Sequence, residues 1–158
     1  MNDRTSNPGT PHPATSHPEW DKLLSNFNKL LGMTILEWSE GAATLAVDLD
    51  ERHQNRSGVA HGGVFMTMMD AAGGYAGCYC PHPGRVRRTL SLSLNTSFLA
   101  AGRRGRVFAR ARVRGGGTKI YVSTIEVSDE TGTLLAIGEG VYRYRTGSEK
   151  PEGVPVEG

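Results

Sequence analysis

The sequence predicts an α+β fold in which a strongly curved antiparallel sheet wraps around one long central helix. From Gly62 to Cys80, apolar residues occupy every angle of the helical repeat, and a helix that is apolar on all sides is buried on all sides. The stretches before and after it alternate apolar and polar residues between tight turns, which favours antiparallel strands. We expect the sheet to cover one flank of the helix and a partner subunit to cover the other.

Size, charge and cysteine content limit the kind of protein. The 158 residues suffice for one domain with a real core, and a net charge of +2 is too small to predict a nucleic-acid partner. The N-terminus lacks the apolar stretch of a secretory signal, and the apolar run at residues 64–80 is short for a membrane span. Cys78 and Cys80 are too few for a zinc site and badly spaced for a mutual disulfide. We therefore expect a cytoplasmic protein without a metal, a membrane contact or a nucleic-acid partner.

The two ends of the chain have the composition of tails. Residues 1–18 are rich in proline and have almost no large apolar side chains, which predicts a disordered N-terminal tail. Residues 146–158 are polar and rich in proline and glycine, which predicts a flexible C-terminal tail. The single domain is expected between them, at residues 19–145.

The domain begins with a helix and a hairpin. Apolar residues recur at helical spacing over residues 23–31, and Gly32 ends this short amphipathic helix. Residues 33–38 and 42–49 have strand character with a turn between them, so they predict a β-hairpin. Residues 50–60 are polar and aperiodic, which predicts a loop in which His53 is solvated.

After the central helix, which the Pro-rich residues 81–84 stop, the chain predicts four strands. Residues 88–99 alternate leucine with serine and asparagine, as in a half-buried strand. Residues 105–114, 118–128 and 133–144 follow, separated by the glycines at 115–117 and by a second tight turn. The arginines of the second strand permit another interpretation, a nucleic-acid-binding stripe. Because the other face of that strand is apolar, the pattern is more typical of the outer face of a sheet.

The start of the central helix carries a candidate anion site, His61-Gly62-Gly63. The first backbone N–H groups of a helix have no intrahelical acceptor and lie at its positive end, so they stabilise an anionic oxygen. Glycine lets a ligand approach these amides without interference from a Cβ. This is the arrangement of an oxyanion hole. The alternative is that both glycines only turn the chain into the helix.

Asp70 is the only charged residue of the central helix, and an ionised group in apolar surroundings needs a partner or a task. It follows Gly62 by eight residues, which is roughly 12 Å along a helix axis. The two groups of one chain therefore cannot easily act on the same carbonyl, and a shared site would combine Gly62 of one subunit with Asp70 of another. The alternative is a carboxylate on the helix surface, or a buried one that a neighbouring donor satisfies.

These residues resemble a known family. The pattern of Asn55, His61-Gly62-Gly63 and Asp70, followed by a serine-bearing strand and a glycine-rich turn before Thr118, is similar to that of the hotdog-fold acyl-CoA thioesterases of the phenylacetate-degradation (PaaI-like) type. The resemblance covers about residues 20–145. It implies the hotdog fold and a homodimer that pairs further into a tetramer. It also implies acyl-CoA as the substrate and no separate cofactor.

The resemblance also implies roles for individual residues. The Gly62 amide polarises the thioester carbonyl, Asn55 and His61 build or orient the site, and Asp70 of the opposite subunit acts as general base or nucleophile. A hydroxyl on the strand after the helix holds the water; Ser91 takes this place, with Ser93 as the alternative. Further substrate contacts, including phosphate contacts of the arginines, are expected from Gly63, Phe65, Met66, Met69, Arg103, Arg104, Gly116, Gly117 and Thr118.

Three functions agree with this pattern. The first is hydrolysis of an aryl or short- to medium-chain acyl-CoA to the free acid and CoA. The second is a non-catalytic module of the same fold that binds acyl-CoA or regulates in response to it. The third is hydration of an enoyl thioester on a related fold, which uses a histidine and an acid at a different spacing.

Overall fold

A six-stranded antiparallel sheet packs against one long helix, as the sequence predicts. The computed structural model describes residues 18–156, so the predicted tail at residues 1–18 lies outside the described residues except for its last position. The helices are α1 (Pro18–Asp21), α2 (Asn26–Leu30) and α3 (Gly62–Cys78). The strands are β1 (Thr34–Ser39), β2 (Ala42–Leu49), β3 (Arg85–Val86), β4 (Thr89–Phe98), β5 (Gly105–Gly116), β6 (Ile120–Asp129), β7 (Leu134–Tyr144) and β8 (Val154–Pro155).

The strand order of the main sheet is β1-β2-β5-β6-β7-β4, which makes β1 and β4 its edges. Helix α3 contacts all six of these strands. The predicted alternation of β5 is confirmed, since Val107, Ala109 and Ala111 are buried while Arg110 and Arg112 are exposed. The α+β prediction with a sheet around a central helix is therefore confirmed.

The first predicted helix, at residues 23–31, is wrong in its extent, because α2 covers only Asn26–Leu30 and a separate short helix, α1, lies before the predicted start. Ser25 is the N-cap of α2, and its hydroxyl accepts a hydrogen bond of 3.2 Å from the Asn28 amide. Serine is favoured at helix N-caps because its oxygen satisfies a free amide in this way. The Asp21 carboxylate at the end of α1 accepts from the Ile35 amide at 3.1 Å. This contact ties α1 to the start of β1.

His53 is buried, and the prediction that it is solvated is wrong. Its side chain is 1% exposed. The Nδ1 atom accepts from the Asp50 amide at 3.0 Å, and Nε2 lies 3.0 Å from the Leu31 carbonyl, to which it donates when Nδ1 is the acceptor. The backbone carbonyl of His53 in turn accepts from the His61 amide at 2.7 Å. His53 thus fixes the loop that leads into α3.

One flank of α3 is buried against the sheet, and the other is open. Phe65, Met68, Met69, Ala72 and Ala76 are buried in the core. On the opposite flank Met66 is 40% exposed, and Thr67 and Asp70 are half-buried. The sequence predicts that both flanks of the helix are covered. A single chain covers only the flank that faces the sheet.

The glycines inside α3 make room for tyrosines of the sheet. A Cβ on Gly73 would overlap the Tyr142 side chain, and one on Gly77 would overlap the Tyr121 ring. At these two positions glycine therefore permits the close approach of an aromatic ring of the same chain.

Side chains donate to four carbonyl groups in the C-terminal half of α3. A helix leaves its last four carbonyls without intrahelical donors, and two of these, at Tyr75 and Gly77, accept such a bond. The donors are Trp38 Nε1 to Tyr75 O at 2.7 Å, Tyr121 Oη to Gly74 O at 2.9 Å, Ser123 Oγ to Gly73 O at 3.2 Å, Tyr144 Oη to Gly77 O at 2.8 Å and Arg87 Nη1 to Gly77 O at 3.2 Å. These bonds fix the C-terminal half of the helix to β1, β6 and β7.

The leucine alternation of β4 departs from the prediction. The pairing with β7 shifts register between Ser91 and Ser93, so Leu92 is an extra residue and forms a β-bulge. Leu92 is 52% exposed, and Leu90 is exposed as well, whereas Leu94 packs against the core. The three leucines therefore do not form one half-buried row.

The structure also differs from the prediction at the C-terminus, where a flexible tail was expected from residue 146. Strand β8 pairs with β3, and Ser148 is buried. Arg87 donates to the carbonyls of Ser148 and Glu149 at 3.1 and 3.2 Å, and Arg85 donates to that of Glu152 at 2.6 Å. Contacts from arginine to backbone carbonyls do not require apolar residues at regular spacing, so the hydrophobic pattern of the sequence does not reveal them.

None of the helices within residues 18–156 combines the length and the apolar character that a membrane crossing requires.

Candidate active site

Asp70 is held by a serine of the adjacent edge strand. The Ser91 hydroxyl donates a hydrogen bond of 2.5 Å to Asp70 Oδ1. Asp70 is half-buried on α3, and Ser91 is exposed on β4. A hydrogen bond to a carboxylate is short and strong because the acceptor is charged. The carboxylate and the hydroxyl therefore form one polar unit on the open flank of the helix.

The β-bulge determines which serine reaches Asp70. Ser91 lies opposite Tyr142, a buried residue on the helix side of β7, and Ser93 lies opposite Val141. Because neighbours along β7 point to opposite faces, the two serines do so too. In a regular strand, residues two apart share a face, so Ser93 was a reasonable alternative to Ser91. The structure brings only Ser91 to Asp70.

Tyr142 lies beneath Asp70 and was not among the predicted site residues. Its Oη donates to the backbone carbonyl of Asp70 at 3.3 Å. Burial, and secondarily the Asp70 carboxylate, raises the pKa of Tyr142 above its ordinary value. The phenol is therefore a neutral donor at physiological pH. Its position opposite Ser91 in β7 is the signal that identifies it once the register is known.

The N-terminus of α3 leaves one backbone amide free. His61 Nδ1 accepts from the Gly63 amide at 2.9 Å, and the His61 carbonyl accepts from the Val64 amide at 2.9 Å. Within residues 18–156, the Gly62 amide has no acceptor. Since Nδ1 accepts a hydrogen bond, a ring with a single proton carries it on Nε2. His61 therefore orients the helix start and presents an N–H donor beside the free amide.

Phe98 limits the space at Gly62. The edge of its ring lies 3.0 Å from the position that a Cβ on Gly62 would take. That separation is shorter than an ordinary van der Waals contact, so a larger residue at position 62 would have to displace the ring. Packing against Phe98 thus favours glycine at position 62.

Asn55 holds the loop before the helix. Its Oδ1 accepts from the Ser57 amide at 2.9 Å and from the Val59 amide at 3.4 Å. Such local bonds are typical of Asx turns. The expected role of Asn55 in orienting the site is compatible with this position, because the turn precedes His61. Direct contact of Asn55 with a substrate stays a prediction.

Gly62 and Asp70 do not meet in one chain. They lie on the same helix, eight residues apart, at a separation of roughly 12 Å along the axis. The structure therefore presents two half-sites, one at the free Gly62 amide and one at the Asp70–Ser91 pair.

The expected substrate-binding residues fall into three groups. Phe65 and Met69 are buried in the core, so a single chain does not expose them to a ligand, whereas Met66 is open. Arg103 and Arg104 are exposed next to Gly102, which packs against Phe65 near the start of α3. The third group lies at the opposite end of the helix, where Gly116 pairs with Tyr121 beside Gly77; it comprises Gly116, Gly117 and Thr118.

Metal ligands do not cluster in the described part of the chain. Within residues 18–156, no group of three or more histidine, cysteine, aspartate or glutamate side chains is arranged so that it could hold a metal ion.

Comparisons with known proteins agree with this architecture. The family model of the thioesterase superfamily matches residues 57–136, which include α3, the Asp70–Ser91 pair and β4 to β6. A relative from Haemophilus influenzae is 30% identical over 128 residues, which cover 75% of this chain and 91% of the relative. The 1,4-dihydroxy-2-naphthoyl-CoA hydrolase of Listeria monocytogenes is 27% identical over 107 residues, with 68% of this chain and 85% of that protein covered.

Solved structures show the same fold. The crystal structure of a thioesterase from Haemophilus influenzae has a TM-score of 0.73 and 27% identity, and the match covers 81% of this chain and 89% of that one. The PaaI protein from the phenylacetic acid degradation operon of E. coli has a TM-score of 0.72 at 24% identity, with 83% and 92% covered. The hotdog fold expected from the residue pattern is confirmed. The chain belongs to the thioesterase superfamily, and it is a thioester hydrolase.

Proposed function

We propose that this protein hydrolyses the thioester of an acyl-CoA to the free acid and CoA. The observation that carries the proposal is the pair of half-sites on α3, a free Gly62 amide at one end and a serine-bound Asp70 two turns further on. In this proposal Gly62 of one subunit and Asp70 of the opposite subunit act on the same thioester. The name of the Listeria relative supports an aryl-CoA as one possible substrate, beside short- and medium-chain acyl-CoA.

The chemistry needs few groups because a thioester is reactive. The Gly62 amide donates to the carbonyl oxygen and stabilises the negative charge that develops there. Asp70 removes a proton from water, whose oxygen then bonds to the carbonyl carbon, or Asp70 attacks that carbon itself and forms a mixed anhydride, which water hydrolyses after CoA has left. The Ser91 hydroxyl donates to Asp70 and is placed to accept from the water. The carbon–sulfur bond breaks, and CoA leaves as a thiolate that then takes up a proton.

The open flank of the molecule supports a second copy as the source of the other half-site. Strand β4 is an edge of the sheet, and an unpaired edge is a template for another strand. Leu92 and Phe98 on this strand are 52% and 53% exposed, and Met66 adds apolar surface on the neighbouring helix. A homodimer in which this surface is covered would place α3 of the two chains side by side. The resemblance to the family further supports the pairing of two dimers into a tetramer. The two unpaired cysteines support a cytoplasmic location, which we include in the proposal.

Substitution of Asp70 tests the proposed reaction. Asp70→Asn keeps the shape of the side chain but removes its basicity, so we expect kcat to fall about 100-fold or more. The measurement is thiol release from a panel of aryl- and alkyl-CoA substrates, with circular dichroism and size-exclusion chromatography to check fold and assembly. Asp48→Asn is the matched control, because Asp48 forms a surface ion pair with Arg106 on the outer face of the sheet.

Near-normal turnover by Asp70→Asn across the panel would contradict the proposed role. Binding of acyl-CoA by the unaltered protein without any thiol release would instead favour the non-catalytic binding module.

A further inference from the structure

A groove lies between the short helix α2 and the start of α3. Its volume is roughly 370 Å³. Phe27 and Leu31 form one wall, and Val64 and Thr67 form the other. His61 and Gly63 line the end that lies next to the free amide. Residues this far towards the N-terminus lie outside the family match at residues 57–136.

Three of the polar side chains that line this groove, Thr67, Arg52 and His53, are engaged within the chain. The Thr67 hydroxyl donates to the Gly63 carbonyl at 2.8 Å. Arg52 is paired with Asp50 at 3.0 Å and donates to the Leu30 carbonyl at 3.4 Å. Both ring nitrogens of His53 have backbone partners. A polar or charged ligand group beside these three side chains would have to compete with their existing bonds, whereas an apolar group leaves the bonds intact.

The groove lies next to the Gly62 amide, to which the carbonyl oxygen of the substrate would bind. Gly62 and Gly63 are consecutive, so their Cα atoms are about 3.8 Å apart. A carbonyl carbon bound at the Gly62 amide carries two substituents, the sulfur and the acyl chain. Of the apolar side chains of α3 that are expected to contact the substrate, Phe65 and Met69 are buried in the core, and only Met66, on the open flank, is exposed. The groove provides an apolar surface in their place.

We propose that this groove binds the acyl chain of the substrate, and that Phe27 and Leu31 determine the preferred chain length. The inference rests on the proposed acyl-CoA hydrolysis. It names the substrate class as thioesters of uncharged, apolar acyl groups long enough to reach α2. Phe27 is 57% exposed at the outer wall, so the groove is open at that end and a longer chain continues into solvent.

A series of straight-chain acyl-CoA substrates tests this assignment. Each methylene buried in the groove contributes about a fourfold gain in kcat/KM, and the gain stops once the groove is filled. Phe27→Ala removes the outer wall, so we expect the ratio of kcat/KM for decanoyl-CoA to that for acetyl-CoA to fall about tenfold. Leu30→Ala is the matched control, because Leu30 lies on the same helix and is exposed outside the groove.

Thr67→Phe provides the opposite change, since it fills the groove from the helix side. We expect this variant to shift the preference towards shorter chains, so that decanoyl-CoA loses far more than acetyl-CoA. Saturation-transfer NMR with octanoate, the product-like acid, gives a second readout that requires no turnover. Octanoate signals should be strong with the unaltered protein and with Leu30→Ala, and weak with Phe27→Ala and Thr67→Phe.

The possible results separate the two proposals. If the unaltered protein releases CoA but Phe27→Ala and Leu30→Ala have the same chain-length profile, the groove is not the acyl site. If no acyl-CoA is hydrolysed, the proposed function fails, and the octanoate experiment alone decides whether the groove binds acyl chains. Equal octanoate signals from all four proteins would overturn the inference.

Discussion

At the scale of single residues, the hydroxyl that reaches Asp70 is selected by one extra residue in β4. The sequence shows serines at positions 91 and 93, and simple alternation places both on the same face. The bulge at Leu92 separates them, with Ser91 at Asp70 and Ser93 on the opposite face. The residue types of the site were thus predictable, but the choice between two equivalent serines was not, because a bulge leaves no clear mark in the pattern.

Ser91→Ala and Ser93→Ala form a matched pair that measures this selection. Loss of a hydrogen bond to a charged group costs about 1.5–3 kcal/mol, which corresponds to a roughly 10- to 100-fold lower kcat for Ser91→Ala. Ser93→Ala should hydrolyse acyl-CoA at nearly the normal rate. Steady-state kinetics with one well-used acyl-CoA gives both values, and equal losses in the two variants would be evidence against the role of Ser91.

The two cysteines should react very differently with thiol reagents. Burial raises the pKa of the Cys78 thiol to about 11, although a Tyr121 contact and the Arg87 charge oppose the shift. At pH 8 only about one part in a thousand of such a thiol is thiolate, the reactive form. Cys80 is half-buried near the chain surface.

We therefore expect Ellman's reagent to modify about one thiol per chain in the native protein, and the second only after unfolding. The Cys80→Ser variant should lose the early phase and keep the late one. Fast modification of that variant under native conditions would show that Cys78 is accessible.

At the scale of secondary-structure elements, the sequence pattern located the central helix and all six strands of the main sheet to within a few residues. It failed where other interactions determine the structure. The capping bond of Ser25 starts α2 at Asn26 and not at residue 23, and β8 is held by arginine contacts to backbone carbonyls. Neither interaction depends on a repeating apolar pattern, so neither could be read from one.

Gly74 and Gly77 in α3 should respond oppositely to alanine. A Cβ on Gly77 would overlap the Tyr121 ring, and such overpacking typically destabilises a protein by about 1–3 kcal/mol. A Cβ on Gly74 would lie 3.5 Å from Thr89 Cγ2, an ordinary contact. Alanine there should stabilise the helix by up to about 1 kcal/mol through its higher helix propensity.

Urea unfolding followed by circular dichroism measures both changes in the free energy of unfolding. The two variants control for each other, because they make the same substitution three residues apart on one helix. A loss of stability in Gly74→Ala comparable to that in Gly77→Ala would mean that tyrosine packing does not explain the interior glycines.

At the scale of the whole molecule, the open flank of α3 and the separation of the half-sites have the same cause in our proposal. The sequence predicted both from the apolar helix and from the spacing of Gly62 and Asp70. The structure of one chain leaves Met66, Leu92 and Phe98 exposed on that flank. What a single sequence could not give was the surface that covers them, because apolar residues look alike in a core and in an interface.

Mixed dimers test whether the sites are composite. One chain carries Asp70→Asn, and the other carries Asn55→Ala, each inactive when paired with itself. In a mixed dimer the Asp70 of the second chain faces the intact Gly62 region of the first, so one of two sites is restored. After random exchange of equal amounts, half of the dimers are mixed, and about a quarter of the normal activity should return.

Subunit exchange can be followed by native mass spectrometry with differently tagged chains, and thiol release gives the activity. Mixing without any recovery, at confirmed exchange, would count against a site shared between subunits. Recovery can be interpreted only if Asn55→Ala alone is inactive, and an assay of the unmixed variant measures this directly.

The two ends of α3 differ in the hydrogen bonding of their backbone groups, and this difference couples substrate binding to the local order of the helix start. Five side chains donate to backbone carbonyls of the C-terminal half, whereas the amide of Gly62 has no acceptor within residues 18–156. A substrate carbonyl would supply the missing acceptor, and in this sense the ligand finishes the first turn of the helix. Binding and local order are then thermodynamically linked. Amide hydrogen exchange at residues 62–64 should slow when substrate or product occupies the site, while exchange at the far end of the helix stays the same.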